Sequence, residues 1–192
     1  MKDKAYHCKD LRGADLRGMD LRGMDLRGAY LQGTDFRGAY LQEVNLEEAN
    51  LEGAHLQGAH LEGADLEGTN LRRANLQWAH LEGTNLRRAN LQGACLQEAC
   101  LRRAHLQEAC LEGVCLRRAH LQETHLQGAN LQGTDFRGAN LREANLRGAY
   151  LQGANLQWAN LQGADFRRAH LQEACLEGAN LQGAHLQETE KK

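Results

Sequence analysis

The sequence predicts an all-β solenoid, a chain wound into a coil of short sides joined by tight corners. Three observations predict it. Leu or Phe recurs at every fifth position from Leu11 to Leu186. Ala, with a few Thr, Met or Val, stands two places before each of these centres from Leu16 onward, and nothing interrupts the register between Lys9 and Thr189. All 21 glycines stand at the second position after a centre.

A period of five fits neither a helix nor a flat strand. On a helix each step of five turns the centre by ~140°, so the centres spray around the axis and leave no apolar face. On a flat strand, centres five apart fall on alternate faces. The pattern closes only if the chain turns between units. The small residue and the centre, two apart, then point inward together, and the residue between them points out. The two residues after the centre form the corner.

Gly is favoured at a corner whose later residue has positive φ. The other 15 units carry Arg, Glu or Trp there, so many corners are expected to use a turn that tolerates a side chain. Spacing alone permits three or four sides per coil.

Units such as ADLRG, TDFRG, ANLQG and ANLEG resemble the pentapeptide-repeat family, A(D/N)LXX, over residues 9–189. The resemblance implies a right-handed quadrilateral parallel β-helix. Its 36 centres would make about nine coils of four pentapeptides, spaced ~4.8 Å apart. Residues 9–189 are then one domain, with 1–8 as an N-terminal lid segment and 190–192 as a C-terminal tail. The interior is a column of Leu and Ala layers, where each buried Leu contributes ~1.5–3 kcal/mol.

Composition narrows the function. Net charge is −2, with 23 basic and 25 acidic residues, and no column is purely basic, so direct nucleic-acid binding is not expected. No run of 18 apolar residues suggests a membrane span. The opening MKDKAYHCKD lacks an apolar core, so no secretory leader is expected and a cytoplasmic location follows. The six cysteines then read as free thiols. The absence of Pro suits a backbone whose N–H groups are nearly all used. With no Ser, no insertion and no loop to build a cleft, an enzyme is not expected and no cofactor is assigned.

With a 20-residue coil, outward residues 20 apart stack on adjacent coils. His60, His80, Cys100 and His120 share one such column, Cys95 and Cys115 another, and His105 and His125 a third. These side chains suit zinc, but a straight column does not converge as a tetrahedral site requires. No metal centre is assigned, and adventitious capture of nickel or zinc is the expectation. The spacing of Cys95 and Cys115 lies in the disulfide range while their parallel Cβ vectors oppose closure.

Charge is segmented. Residues 41–70 hold Glu43, Glu47, Glu48, Glu52, Glu62, Asp65 and Glu67 with no Lys or Arg. Residues 71–120 carry Arg72/Arg73, Arg87/Arg88, Arg102/Arg103 and Arg117/Arg118, diluted by Glu82, Glu98, Glu108 and Glu112. Trp78 and Trp158 occupy one corner column, as contact residues often do.

The ends of a β-helix leave backbone unpaired. Tyr6 and Cys8 are available to a lid, and all five lysines lie at the termini. End-to-end self-association, most simply a dimer, is expected. The function expected is a non-catalytic scaffold or interaction rod with an unknown protein partner. The alternative is the DNA mimicry of topoisomerases that the resemblance implies through its quinolone-resistance members. Those are strongly acidic rods, and here only the 41–70 belt fits.

Overall fold

The computed structural model describes residues 10–189. Every bridge in it, from Asp10–Tyr30 to Asp165–His185, is parallel and joins residues 20 apart. The coil therefore closes after four units. Each side contributes one bridged residue rather than an extended strand, because the next turn begins after the centre. No helix among the described residues is long and apolar enough to cross a membrane.

The unit around Leu96 shows how the backbone is satisfied. Cys95 N–H donates to Ala74 C=O on the preceding coil at 3.0 Å. Leu96 N–H and Glu98 N–H donate to Cys115 and Arg117 on the following coil at 2.8 and 2.9 Å. Ala99 N–H closes the turn onto Leu96 C=O at 3.1 Å. One N–H per unit remains, that of the residue after the centre. In many units an Asn or Asp before the centre accepts it, as Asn75 Oδ1 does from Gln77 at 3.1 Å and Asp35 Oδ1 from Arg37 at 3.2 Å. All five N–H groups are then engaged, which is why Pro has no place in the shaft.

The core is as expected from Leu26 to Leu171, where centres and small residues are buried. Phe36, Phe136 and Phe166 replace Leu at full burial. Most inward threonines satisfy their hydroxyls across coils, as Thr84 Oγ1 does on Leu61 C=O at 2.9 Å and Thr134 Oγ1 on Leu111 C=O at 2.7 Å, while Thr124 Oγ1 donates within its own turn to Leu121 C=O at 2.7 Å.

Two expectations need correction. The non-glycine corners do not use a different turn. All 15 have φ between 55 and 61°, beside 60 to 70° for the glycines. From Gly13 to Arg168 each corner N–H is committed to the next coil, so the pairing dictates one turn and the side chain accepts the left-handed region. The second correction is at the ends. Met19 and Met24 occupy inward positions yet are 49% and 38% exposed, and Leu11, Leu16, Leu21, Leu176, Leu181 and Leu186 are half-buried. No further described coil covers them. The lid residues Tyr6 and Cys8, the five lysines and the 190–192 tail lie outside the described residues.

Candidate functional site

Local chemistry sets the outer surface. Where Asp precedes a centre and Arg follows it, the two residues form a clamp around the turn. Arg37 Nε and Nη2 donate to Asp35 at 2.9 and 2.6 Å. Asp10/Arg12, Asp15/Arg17, Asp20/Arg22, Asp135/Arg137 and Asp165/Arg167 repeat it. Arg37 beside Asp35 holds that carboxyl down to about 2, against the burial that works to raise it. These clamps use up charge that composition alone left free.

Four of the eight arginines in the 71–120 pairs are answered by a glutamate of a neighbouring coil. Arg88 Nε meets Glu108 at 3.1 Å, Arg103 Nε meets Glu123 at 2.8 Å, Arg102 Nη2 meets Glu82 at 3.1 Å, and Arg118 Nη1 approaches Glu98 at 4.0 Å. A groove of about 650 Å³ runs past Glu82, Arg102, Arg103, Glu123 and Arg142. Its guanidinium and carboxylate groups largely neutralise each other, and no nucleophile with an orienting base lines it.

The acidic belt is not one face. Glu43 and Glu62 lie at one corner of the coil, Glu47, Glu48 and Glu67 at a second, and Glu52 at a third. Among the described residues none of them pairs with an arginine within ion-pair distance. Glu47 and Glu67 stack in one column, whose next members are Arg27 and Arg87.

Trp78 and Trp158 do share a column, four coils apart, and are 53% and 64% exposed. Between them stand Glu98, Arg118 and Gly138. Trp78 Nε1 donates to Glu98 Oε2 at 3.2 Å. Trp158 lies across the Gly178 corner, where a Cβ on Gly178 would come within 2.5 Å of Trp158 Cδ1. Both indoles sit on corners at positive φ.

The histidine and cysteine column is bridged as expected, Tyr40 to His60, His80, Cys100 and His120 in succession. It does not act as a unit. His60 and His80 stack with centroids 4.7 Å apart at 5°. They join Glu62 in a group whose ligand atoms all lie within 4.8 Å of one another. Cys100 is drawn aside: burial pushes its thiol up, and hydrogen bonding to Glu82 reinforces that. At Glu82, burial works to raise the carboxyl, but hydrogen bonds from Cys100, its own backbone and Arg102 outweigh it and lower the pKa. Cys100 and His120 are not in the group. Glu62 is the member that a column-only reading omits. Its signal is the spacing His-Leu-Glu, which puts the carboxylate beside the ring of its own unit. Cys95, Cys100, Cys110, Cys115 and Cys175 are free, and burial raises Cys115.

The family model for pentapeptide repeats matches residues 10–42, 35–73, 49–88, 69–107, 84–122, 119–156 and 149–187. Among solved structures, one match is HetL, a pentapeptide repeat protein involved in heterocyst differentiation regulation in the cyanobacterium Nostoc sp. strain PCC 7120. It is 34% identical over 96% of this chain and 92% of its own, with a TM-score of 0.46. A pentapeptide repeat protein of the Arabidopsis thaliana thylakoid lumen is 34% identical over 56% of this chain and 71% of its own, at TM-score 0.51. QnrB1, a plasmid-mediated fluoroquinolone resistance protein, is 21% identical over 93% and 86%, at TM-score 0.49. No curated protein matches the chain.

Proposed function

The chain belongs to the pentapeptide-repeat family, and from that premise we propose that it is a non-catalytic interaction rod. It holds a protein partner along one rigid edge and associates with its own copies end to end. Members of the family are generally non-enzymatic structural or interaction proteins that form right-handed quadrilateral β-helices. In this reading the coil has that hand and makes nine turns.

One observation carries the reading: two exposed Trp side chains occupy corner positions that favour Gly. A side chain there costs ~1–2 kcal/mol relative to a relaxed backbone, and an exposed indole returns little by burial. Trp78, Glu98, Arg118, Gly138 and Trp158 form a ridge with an aromatic anchor at each end and a charged pair between them. Aromatic and Arg side chains on a pre-ordered backbone bind with little ordering cost.

Cross-linking in the native cell, wild type beside Trp78→Ala/Trp158→Ala, tests the edge. We expect the wild type to capture a partner that the double variant loses, while the variant's unfolding midpoint changes little. Equal capture by both proteins would remove this edge from consideration.

A further inference from the structure

The chain contains two His-Leu-Glu triplets, His60-Leu61-Glu62 and His80-Leu81-Glu82, and they lie 20 residues apart. The coil therefore stacks one directly on the other. We propose that His60, Glu62 and His80 bind one divalent transition-metal ion of zinc-like preference, a site built from the junction of the two triplets.

Geometry supports it first. The three ligand atoms lie within 4.8 Å of one another, so a point between them is within about 2.8 Å of each. The His60 and His80 rings stack at 5°, so the stack must open on binding, with the exposed His80 turning its ring nitrogen toward that point to reach the ~2.0–2.2 Å of zinc bonds to imidazole and carboxylate. His60 Nδ1 already faces Glu62 Oε1 at 3.4 Å. Tyr40 stacks on the other face of His60 at 5.1 Å and 7°, so His60 holds its place while His80 is the ring that moves.

Charge supports it second. The other carboxylate of the stack, Glu82, has its cation in Arg102 at 3.1 Å. Glu62 has no arginine within ion-pair distance among the described residues. Its Oε2 is shielded from solvent and accepts no hydrogen bond. Glu82 Oε2 is shielded in the same way, so the difference between the two carboxylates is the arginine: Glu62 has none, and a cation between it and the two imidazoles would fill that place. His80 is exposed, so the fourth coordination position opens to solvent, where water or a partner's side chain completes the shell.

The other stacked rings supply the contrast. His105 and His125 stack at 4.9 Å and 2°, and Tyr150 and His170 at 4.8 Å and 3°. Their units carry Gln107, Gln127, Gln152 and Gln172 where Glu62 stands. A stacked pair without the carboxylate offers two neutral donors and no charge to hold the ion.

Titration calorimetry of the full chain with zinc chloride at neutral pH, read together with histidine-ring NMR, tests the site. We expect one strong equivalent, shifts at the ring nitrogens of His60 and His80, and none at His105 or His125. Glu62→Gln should weaken binding by at least about tenfold, and His105→Gln should leave it unchanged. The proposal fails if Glu62→Gln binds as the wild type does, or if His105→Gln weakens binding as much as His60→Gln. It also fails if zinc is taken up while the His60 and His80 rings do not shift, since the thiols or adventitious surface histidines then hold it.

Discussion

Corner residues show how far a pairing scheme overrides local preference. Trp78, Arg88 and Glu98 take φ of 57 to 58° because their N–H groups are bound into the next coil, although only Gly enters this region without cost. At most glycine corners an added Cβ meets little, and at Gly133 it meets nothing within 4 Å. Gly178 is different, because the Trp158 indole lies where its Cβ would go. Gly133→Ala should cost ~1–2 kcal/mol of stability. Gly178→Ala should cost a further ~1–3 kcal/mol from overpacking, recovered when Trp158→Ala is added. Denaturant titration of the four variants measures the coupling, and additivity would place the indole elsewhere. The inward and outward assignments divide as sharply. Leu96→Lys buries a charge in a central layer and should cost about 4 kcal/mol or more, while Gln97→Lys should stay within ~0.5 kcal/mol. Equal thermal midpoints for the two would overturn the layer assignment.

The pentapeptide is the structural element, and its internal chemistry is readable as text. Asn or Asp before the centre caps the N–H that the ladder leaves over, and Asp with Arg two places on adds a clamp. Every shaft Asp but Asp65 is followed in this way. At Asp65 the second residue is Glu67, and Asn85 of the next coil bonds to both carboxylates instead. The clamp makes a pH prediction. Asp35 titrates at about 2 in the fold and near 3.8 when free. Its contribution is therefore complete above the free value and is lost as pH falls through the folded one. Asp35→Asn keeps the cap and deletes the charge. It should lower the thermal midpoint at about pH 5 and lose most of that difference near pH 2. A gap that stays constant across this range would mean the clamp adds nothing beyond the cap. Which corner residues pair, by contrast, was not legible from the run of sequence: Arg103 and Glu123 meet only because the coil sets them one above the other.

Over the full length of the rod, the ends are the least satisfied surfaces. The N–H groups of Leu176, Gly178, Leu181 and Gly183 have no acceptor among the described residues, and those of Asp15 and Asp20 are in the same position at the other end. Met19, Met24 and the half-buried terminal leucines add apolar area at both faces. Among the described residues the donors and acceptors of one end match those of the other, which is the pattern the proposed end-to-end association would use to continue the ladder. Sedimentation velocity over a wide concentration range should therefore find species heavier than 21.4 kDa. Mass rising without limit means head-to-tail stacking, and a fixed dimer means like ends meeting. A persistent monomer would overturn self-association.

A period of five with no slip keeps apolar groups together only if the chain turns between units. The inward layers of Leu and Ala and the position of every corner are therefore written in the order of residues alone, while spacing leaves three or four sides open and the bridges 20 residues apart decide for four. The histidine, cysteine and tryptophan columns follow as soon as a 20-residue coil is granted. Which members of a column act together is a property of the folded chain. His60 and His80 gather Glu62 while Cys100 turns to Glu82, and the acidic belt disperses over three corners. Register fixes which residues are neighbours, but competition among neighbouring charges and hydrogen bonds decides which neighbour each side chain takes.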